Sequence, residues 1–213
     1  MDKSALRQQF LRKRSELSVS AAAQAGHLIA ERFFELPELA VIDTLHTFIR
    51  LKKFNEIDTS IIYFKLWRDH ERIRTCAPRV DHSTEMIESV LFDEDTDLIE
   101  DRWGIREPAF GDIVDPKDVD MVLVPMLCFD VFGHRVGYGK GFYDRFLNQC
   151  RPDCRKVGLS YWPPIDGPIE THDGDIRLDT CITPRETFRL DPCSHQMKKA
   201  SEDASFIEIF SEQ

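Results

Sequence analysis

The spacing of apolar residues along the chain predicts alternating helices and strands. Leu6, Phe10 and Leu17 recur on an approximate 3.6-residue period in "KSALRQQFLRKRSEL", with Arg7, Arg12, Lys13 and Arg14 elsewhere around the axis. "SVSAAAQAGHLIAERFFEL" predicts a second helix, capped by Ser18 or Ser20 and closed before Pro37. "DTLHTFIRL" reads as a strand, and "DTSIIYFKLWRD" as a helix capped by Asp58 or Thr59. "RIRTCAPRV" predicts a short strand that stops at Pro78, and "STEMIESVLF" one or two more. The acidic run 93–120, broken by Gly and Pro, reads as a long surface connection with short helical pieces. "MVLVPMLCFD" is the most apolar stretch and fits a strand buried on both faces. "GFYDRFLNQC" predicts a helix, "RKVGLSYW" a strand, "PPIDGPIETHDGDIRLD" a loop and "TCIT" a last short strand. After Pro184 the chain is polar, with no clear core contribution until "FIEIF". The order predicts an α/β fold with a mainly parallel central sheet. One domain is expected over 1–190, followed by a polar tail over 191–213.

Composition narrows the partners. The 213 residues are 42% hydrophobic, enough for a sizeable core, and carry a formal net charge of -10. That charge argues against a nucleic-acid or membrane-surface binder, which needs a basic face. An anionic small ligand needs only a few local cations. The 6 cysteines form no CxxC pair and are expected as free thiols in a reducing compartment. "MDKSALRQQF" lacks an apolar leader and no run of apolar residues is long enough to span a bilayer, so a cytoplasmic protein is expected.

One stretch carries candidate chemistry. "GHRVGYGKGFYDRF" places Gly133, Gly137, Gly139 and Gly141 close together, with Arg135 and Lys140 among them and Asp144 just after. Glycine lets backbone approach an anion closely and reach positive φ. A following helix N-terminus adds free N–H groups, and two cations add full charge. Such a cradle suits a phosphate, and a carboxylate beside it suits Mg²⁺. The pattern is neither a Walker A loop nor a dinucleotide fingerprint. On these residues alone a tight structural turn stays open.

The longer string "VPMLCFDVFGHRVGYGKGFYDRFL" resembles the signature of the 5-formyltetrahydrofolate cyclo-ligase (methenyltetrahydrofolate synthetase) family. Pro125, Phe129, Asp130, Gly133, Arg135, Gly137, Gly139, Gly141, Tyr143 and Asp144 match its fixed positions. Val136 stands for Leu and Phe142 for Tyr. "KSALR", "NEIDTSII", "WGIREP" and "HDGDIRLDTCIT" resemble further family segments in the same order. The resemblance implies a three-layer α/β/α sandwich that converts 5-formyltetrahydrofolate to 5,10-methenyltetrahydrofolate with ATP and Mg²⁺. It implies ATP binding by Lys3, Arg7 and the loop Arg135, Val136, Gly137, Tyr138, Gly139, Lys140, Gly141, Phe142 and Tyr143. Leu51 and Glu56 would contact the folate, sharing Tyr138, Gly139, Lys140, Gly141 and Phe142 with the nucleotide. Asp144 and Asp179 would hold Mg²⁺, and Lys140, Arg135 and Tyr143 would form the catalytic set. A monomer or weak homodimer is expected.

Blander readings exist for each residue. Lys3 and Arg7 fit a solvated helix face, Glu56 a cap acid ahead of Asp58, and Asp179 a turn. His172 and Asp173, adjacent in a loop, make a poor dyad. The alternatives to the cyclo-ligase are a non-catalytic folate- or nucleotide-binding relative and a sugar-phosphate isomerase-like α/β protein. The second explains the glycines but not "KSALR" or "NEIDTS".

Overall fold

The computed structural model describes residues 1–81, 83–84, 86–100 and 104–190. The predicted tail 191–213, Cys193 and Trp103 lie outside them. An 8-stranded mixed sheet runs through the molecule. Its centre is parallel: β11 (Thr180–Ile182), β10 (Arg155–Leu159), β7 (Met121–Val124), β1 (Thr44–His46) and β2 (Arg74–Asp81), side by side. Antiparallel strands close both flanks, β12 (Thr187–Arg189) beside β11, and β3 (Met86–Leu91) then β6 (Ile113–Val114) beside β2.

The side-chain alternation of β7 builds two cores. Met121 and Leu123 face one layer, with Ile29 and Phe33 of α2 (Val19–Phe34) and Ile62 and Leu66 of α3 (Ser60–Asp69). Val122 and Val124 face the other, with Phe146 and Leu147 of α4 (Phe142–Leu147). All four β7 residues are buried, as the apolar run predicts. The three layers are therefore helix, sheet and helix. α1 (Lys3–Ser15) lies apart, packing Leu6 and Phe10 against Leu127, Cys128, Val136 and Ile169.

Several predicted elements change. β1 ends at His46, so most of "DTLHTFIRL" is not strand. Thr59 takes the N-cap position of α3 without a side-chain cap bond; its hydroxyl donates to the Phe48 carbonyl instead, and Asp58 accepts from the Ser60 N–H at 3.1 Å. β2 runs through Pro78 rather than stopping there. The Leu91 N–H points to Asp112, so Cys76 and, two residues on, Pro78 are non-hydrogen-bonded partners of β3. The Pro78 nitrogen therefore faces the side where β1 has already ended, and no ladder bond is lost. Among its described residues, the run 93–120 holds β4 (Leu98–Glu100), β5 (Arg106–Pro108) and β6, and its helical content is one 3₁₀ turn at Pro116–Asp118. Beyond Pro184 the chain still builds structure: β12 pairs with β11, and Leu190 is buried.

Candidate active site

The carboxyl ends of β1, β7 and β10 meet at one cleft. Phe48, Pro125, Met126 and Leu159 come from those ends, and Arg14, Glu56 and Ile57 complete the lining. Ligands of open α/β sheets bind at such a place.

Glu56 lies in this cleft and is 4% exposed. The 3₁₀ turn Lys52–Phe54 and the left-handed Asn55 (φ 47°) fold the chain back on itself, which brings Leu51 to Glu56. The Leu51 N–H donates to Glu56 Oε2 at 2.6 Å, and the Tyr138 hydroxyl donates to Oε1 at 2.6 Å. The Asn55 side chain donates to the Arg14 and Leu17 carbonyls, tying the turn to the end of α1. The Tyr138 ring stacks on Phe54 with centroids 5.1 Å apart. Burial pushes the Glu56 carboxyl up, and the two hydrogen bonds and the Arg14 charge oppose it. Burial and the Glu56 charge both raise the Tyr138 hydroxyl, so it remains a donor.

The glycines divide into two groups. A hairpin of β8 (Cys128–Phe129) and β9 (Arg135–Val136) stands between β7 and the loop, so the loop does not follow the buried strand directly. Gly133 turns that hairpin at φ 85°, where a Cβ would sit 2.7 Å from the Leu178 carbonyl oxygen. Its role is architectural. Gly139 (φ 90°) and Gly141 (φ 67°) shape the loop itself. Arg7 reaches it from α1: its Nε donates to the Gly137 carbonyl at 2.9 Å, and its guanidinium lies 3.1 Å from where a Gly139 Cβ would be. Lys140 is exposed at the tip. α4 has only 6 residues, too short for a strong dipole, so the cradle depends on the cations. Phe142, at its start, is half-buried under the Arg145 guanidinium, 5.2 Å from the ring centroid.

Arg135 is held inside. Its Nη2 pairs with Asp144 Oδ1 at 2.7 Å and its Nη1 donates to the Ile176 carbonyl. The Ile176 N–H returns to Asp144 Oδ1 at 3.1 Å. Burial lowers the Arg135 pKa, and Asp144 and Asp175 counter it. Arg135 thus orients Asp144 before it meets any ligand. The Val136 side chain is buried in the core beneath α1, so it presents backbone at most. The Tyr143 ring packs against both cores, and its hydroxyl is buried with no hydrogen-bond partner among the described residues.

The predicted metal pair needs a correction. Asp179 precedes β11, and its carboxylate accepts from the Lys156 N–H at 2.8 Å and pairs with Lys156 Nζ at 3.1 Å. That is the amino end of β10, opposite the cleft. The acid on the Asp144 side is Asp175, next to Ile176, ion-paired with Lys3 and bonded to the His172 N–H. Burial works to raise the Asp175 carboxyl, but Lys3 and that N–H outweigh it and hold it low. Asp175 is not singled out in the sequence because it and Asp179 are similar acids with only three residues between them; the pairing with Lys3 is visible only in three dimensions. Asp144 Oδ2 and Asp175 Oδ1 carry no hydrogen bond among the described residues, and hard oxygen donors of this kind fit Mg²⁺.

Comparison with known proteins gives a consistent picture. A sequence model described as the 5-formyltetrahydrofolate cyclo-ligase family matches residues 1–184. A 5-formyltetrahydrofolate cyclo-ligase of Mycoplasma pneumoniae is 30% identical, with 85% of this chain and 98% of that protein covered. The solved 5,10-methenyltetrahydrofolate synthetase of Mycoplasma pneumoniae superposes with a TM-score of 0.66 at 25% identity, covering 86% of this chain and 99% of the other. That of Aquifex aeolicus superposes at 0.70 and 28% identity, covering 88% and 92%.

Proposed function

The chain belongs to the 5-formyltetrahydrofolate cyclo-ligase family and is a ligase of that kind; from this premise we propose that it closes 5-formyltetrahydrofolate to 5,10-methenyltetrahydrofolate, consuming ATP with Mg²⁺ and releasing ADP and phosphate. One observation carries the reading. The glycine loop touches Arg7 on one side and, through Tyr138, the buried Glu56 on the other. A nucleotide held by the cations and a heterocycle held by the carboxylate would meet along the same five residues.

The formyl group on N5 is an amide, and its oxygen is a poor leaving group. Transfer of the γ-phosphoryl of ATP to that oxygen breaks the β–γ phosphoanhydride bond and makes a phosphate ester. N10 then attacks the formyl carbon and gives up its proton to solvent, the ring closes, and the C–O bond breaks as phosphate departs with the oxygen. Such transfer needs positioning and charge neutralisation more than covalent help. Lys140, Arg7 and Lys3 supply the positive charge, and Gly137 to Gly141 supply close backbone approach. Glu56 accepts hydrogen bonds from the N–H donors of the pterin ring, with Leu51 beside it. Asp144, fixed by Arg135, and Asp175 would hold Mg²⁺, which when bound neutralises the triphosphate. Arg135 serves this reaction by positioning. Phe142 has no phenol hydroxyl to offer the folate, and its ring remains as an apolar wall.

The test is direct. Purified protein is mixed with 5-formyltetrahydrofolate and MgATP, and the absorbance of the methenyl product is followed beside a control without ATP. Product that depends on ATP is expected. Binding of both ligands by calorimetry with no product would overturn the reading.

A further inference from the structure

Arg14 has been assigned no role in the reaction, yet it is among the bulkiest side chains fully enclosed in the molecule, 2% exposed. An arginine on a surface helix ordinarily extends its charged head into water. Enclosing a guanidinium is costly unless charge and hydrogen bonds compensate it, and an apolar side chain of similar volume would pack there without that cost. Its Nη2 donates to the Met126 carbonyl at 2.6 Å, and its Nη1 to the Tyr138 hydroxyl at 2.8 Å. The same hydroxyl donates to Glu56 at 2.6 Å. The buried anion that answers Arg14 is therefore Glu56, one phenol away. Its Nε is buried with no partner among the described residues, a gap that packing alone does not explain. Three parts of the site converge on this residue: the end of β7 at Met126, the glycine loop at Tyr138, and the Asn55 turn, which bonds the Arg14 carbonyl at 3.1 Å.

We propose that Arg14 is a positioning residue of the folate pocket: by fixing the Tyr138 hydroxyl and balancing the Glu56 charge, it keeps Glu56 an ionised, immobile acceptor for the N–H donors of the substrate ring. The proposal rests on the assignment of the Glu56 pocket to the folate. The groups around Glu56 are Arg14 from α1, Tyr138 from the loop, Tyr143 from α4 and Tyr161 beyond β10. Arg14 is the cation among them that lowers the Glu56 carboxyl, against the burial that raises it. Without Arg14 the carboxyl rises, and the acid limb of kcat/KM for the folate moves to higher pH. Arg7 and Lys140, on the nucleotide side, keep their contacts.

The experiment compares wild type with Arg14→Met and Arg14→Lys, measuring kcat and KM for both substrates from pH 5 to 8, with circular dichroism to confirm folding. In Arg14→Met the folate KM is expected to rise roughly ten- to a hundredfold, the effect of losing a charged hydrogen-bond partner, with the ATP KM nearly unchanged. Its acid limb is expected about one pH unit higher. Arg14→Lys keeps the charge but not the fork, so its folate KM rises while the limb returns most of the way. A folded Arg14→Met with a wild-type folate KM and acid limb overturns the proposal. If Arg14→Met does not fold, Arg14→Lys decides, and a wild-type folate KM in it overturns the proposal equally. Wild type that forms no methenyl product removes the functional reading itself, and the proposal with it.

Discussion

Lys140 sits exposed at the loop tip and contributes little to the fold, so its charge can be removed cleanly. Lys140→Ala is expected to lower kcat by orders of magnitude while the melting temperature stays within about a degree, since an exposed side chain away from packing costs under roughly 0.5 kcal/mol. Stopped assays beside thermal melts check both halves. Near-normal turnover would remove Lys140 from the phosphate. Gly139 makes a different prediction. A side chain there is strained by the φ of 90° and presses on Arg7 at 3.1 Å. Gly139→Ala is expected to weaken ATP binding at least tenfold in calorimetry, because loop and α1 no longer close together. Equal affinity would mean that the loop does not need this conformation. These two positions differ in how they can be read. Lys140 stands out by charge within a motif, whereas the Gly139–Arg7 contact joins residues more than a hundred positions apart.

At the scale of elements, the long periodic helices and the apolar β7 were legible, because amphipathic spacing and burial leave a local record. The flanks were not. β12 is 3 residues long and its residues are polar or half-buried, so nothing in "TFR" announces a strand until β11 lies beside it. β4 and β5 are as short and β6 is shorter still, and their pairing, not their composition, defines them. The hairpin β8–β9 lies hidden inside a motif that reads as one loop. In the proposed site, the cations, Glu56 and Asp144 stand out in the sequence, but Arg14 is masked as one of several helix charges and Asp175 as one of several loop acids. β12 carries its own prediction. Leu190 closes the core next to it, 3% exposed. Leu190→Ala is expected to cost about 2–4 kcal/mol in urea unfolding, with kcat of the folded enzyme retained because the site lies on the other end of the sheet. A loss under about 0.5 kcal/mol would show that this edge is not part of the cooperative core.

Across the whole molecule, one buried histidine sets a pH limit on stability. His46 in β1 is fully enclosed, bonded through Nδ1 to Ser89 Oγ at 2.7 Å, and burial lowers its pKa to about 3. The unfolded chain protonates this side chain near pH 6.5, the folded one does not. Stability from this group is therefore complete above about pH 6.5 and is lost as pH falls toward 3, at about 1.4 kcal/mol per pH unit. Urea midpoints should decline from pH 6.5 to 4.5, and His46→Gln, though less stable throughout, should show a shallower decline. Parallel curves would place the acid sensitivity elsewhere.

The reach of α1 has a consequence for synthesis. Lys3 pairs with Asp175, 172 positions later, and Arg7 with Gly137, 130 positions later. On the ribosome the first helix therefore emerges with its cations and its apolar face long before their partners exist. At roughly 5–20 residues per second, the wait is about 10 to 30 s. During that time Leu6 and Phe10, which later pack against Leu127, Cys128, Val136 and Ile169, have no partners and are open to chaperones. The contact between Lys3 and Asp175 can form only after the segment around residue 175 clears the exit tunnel.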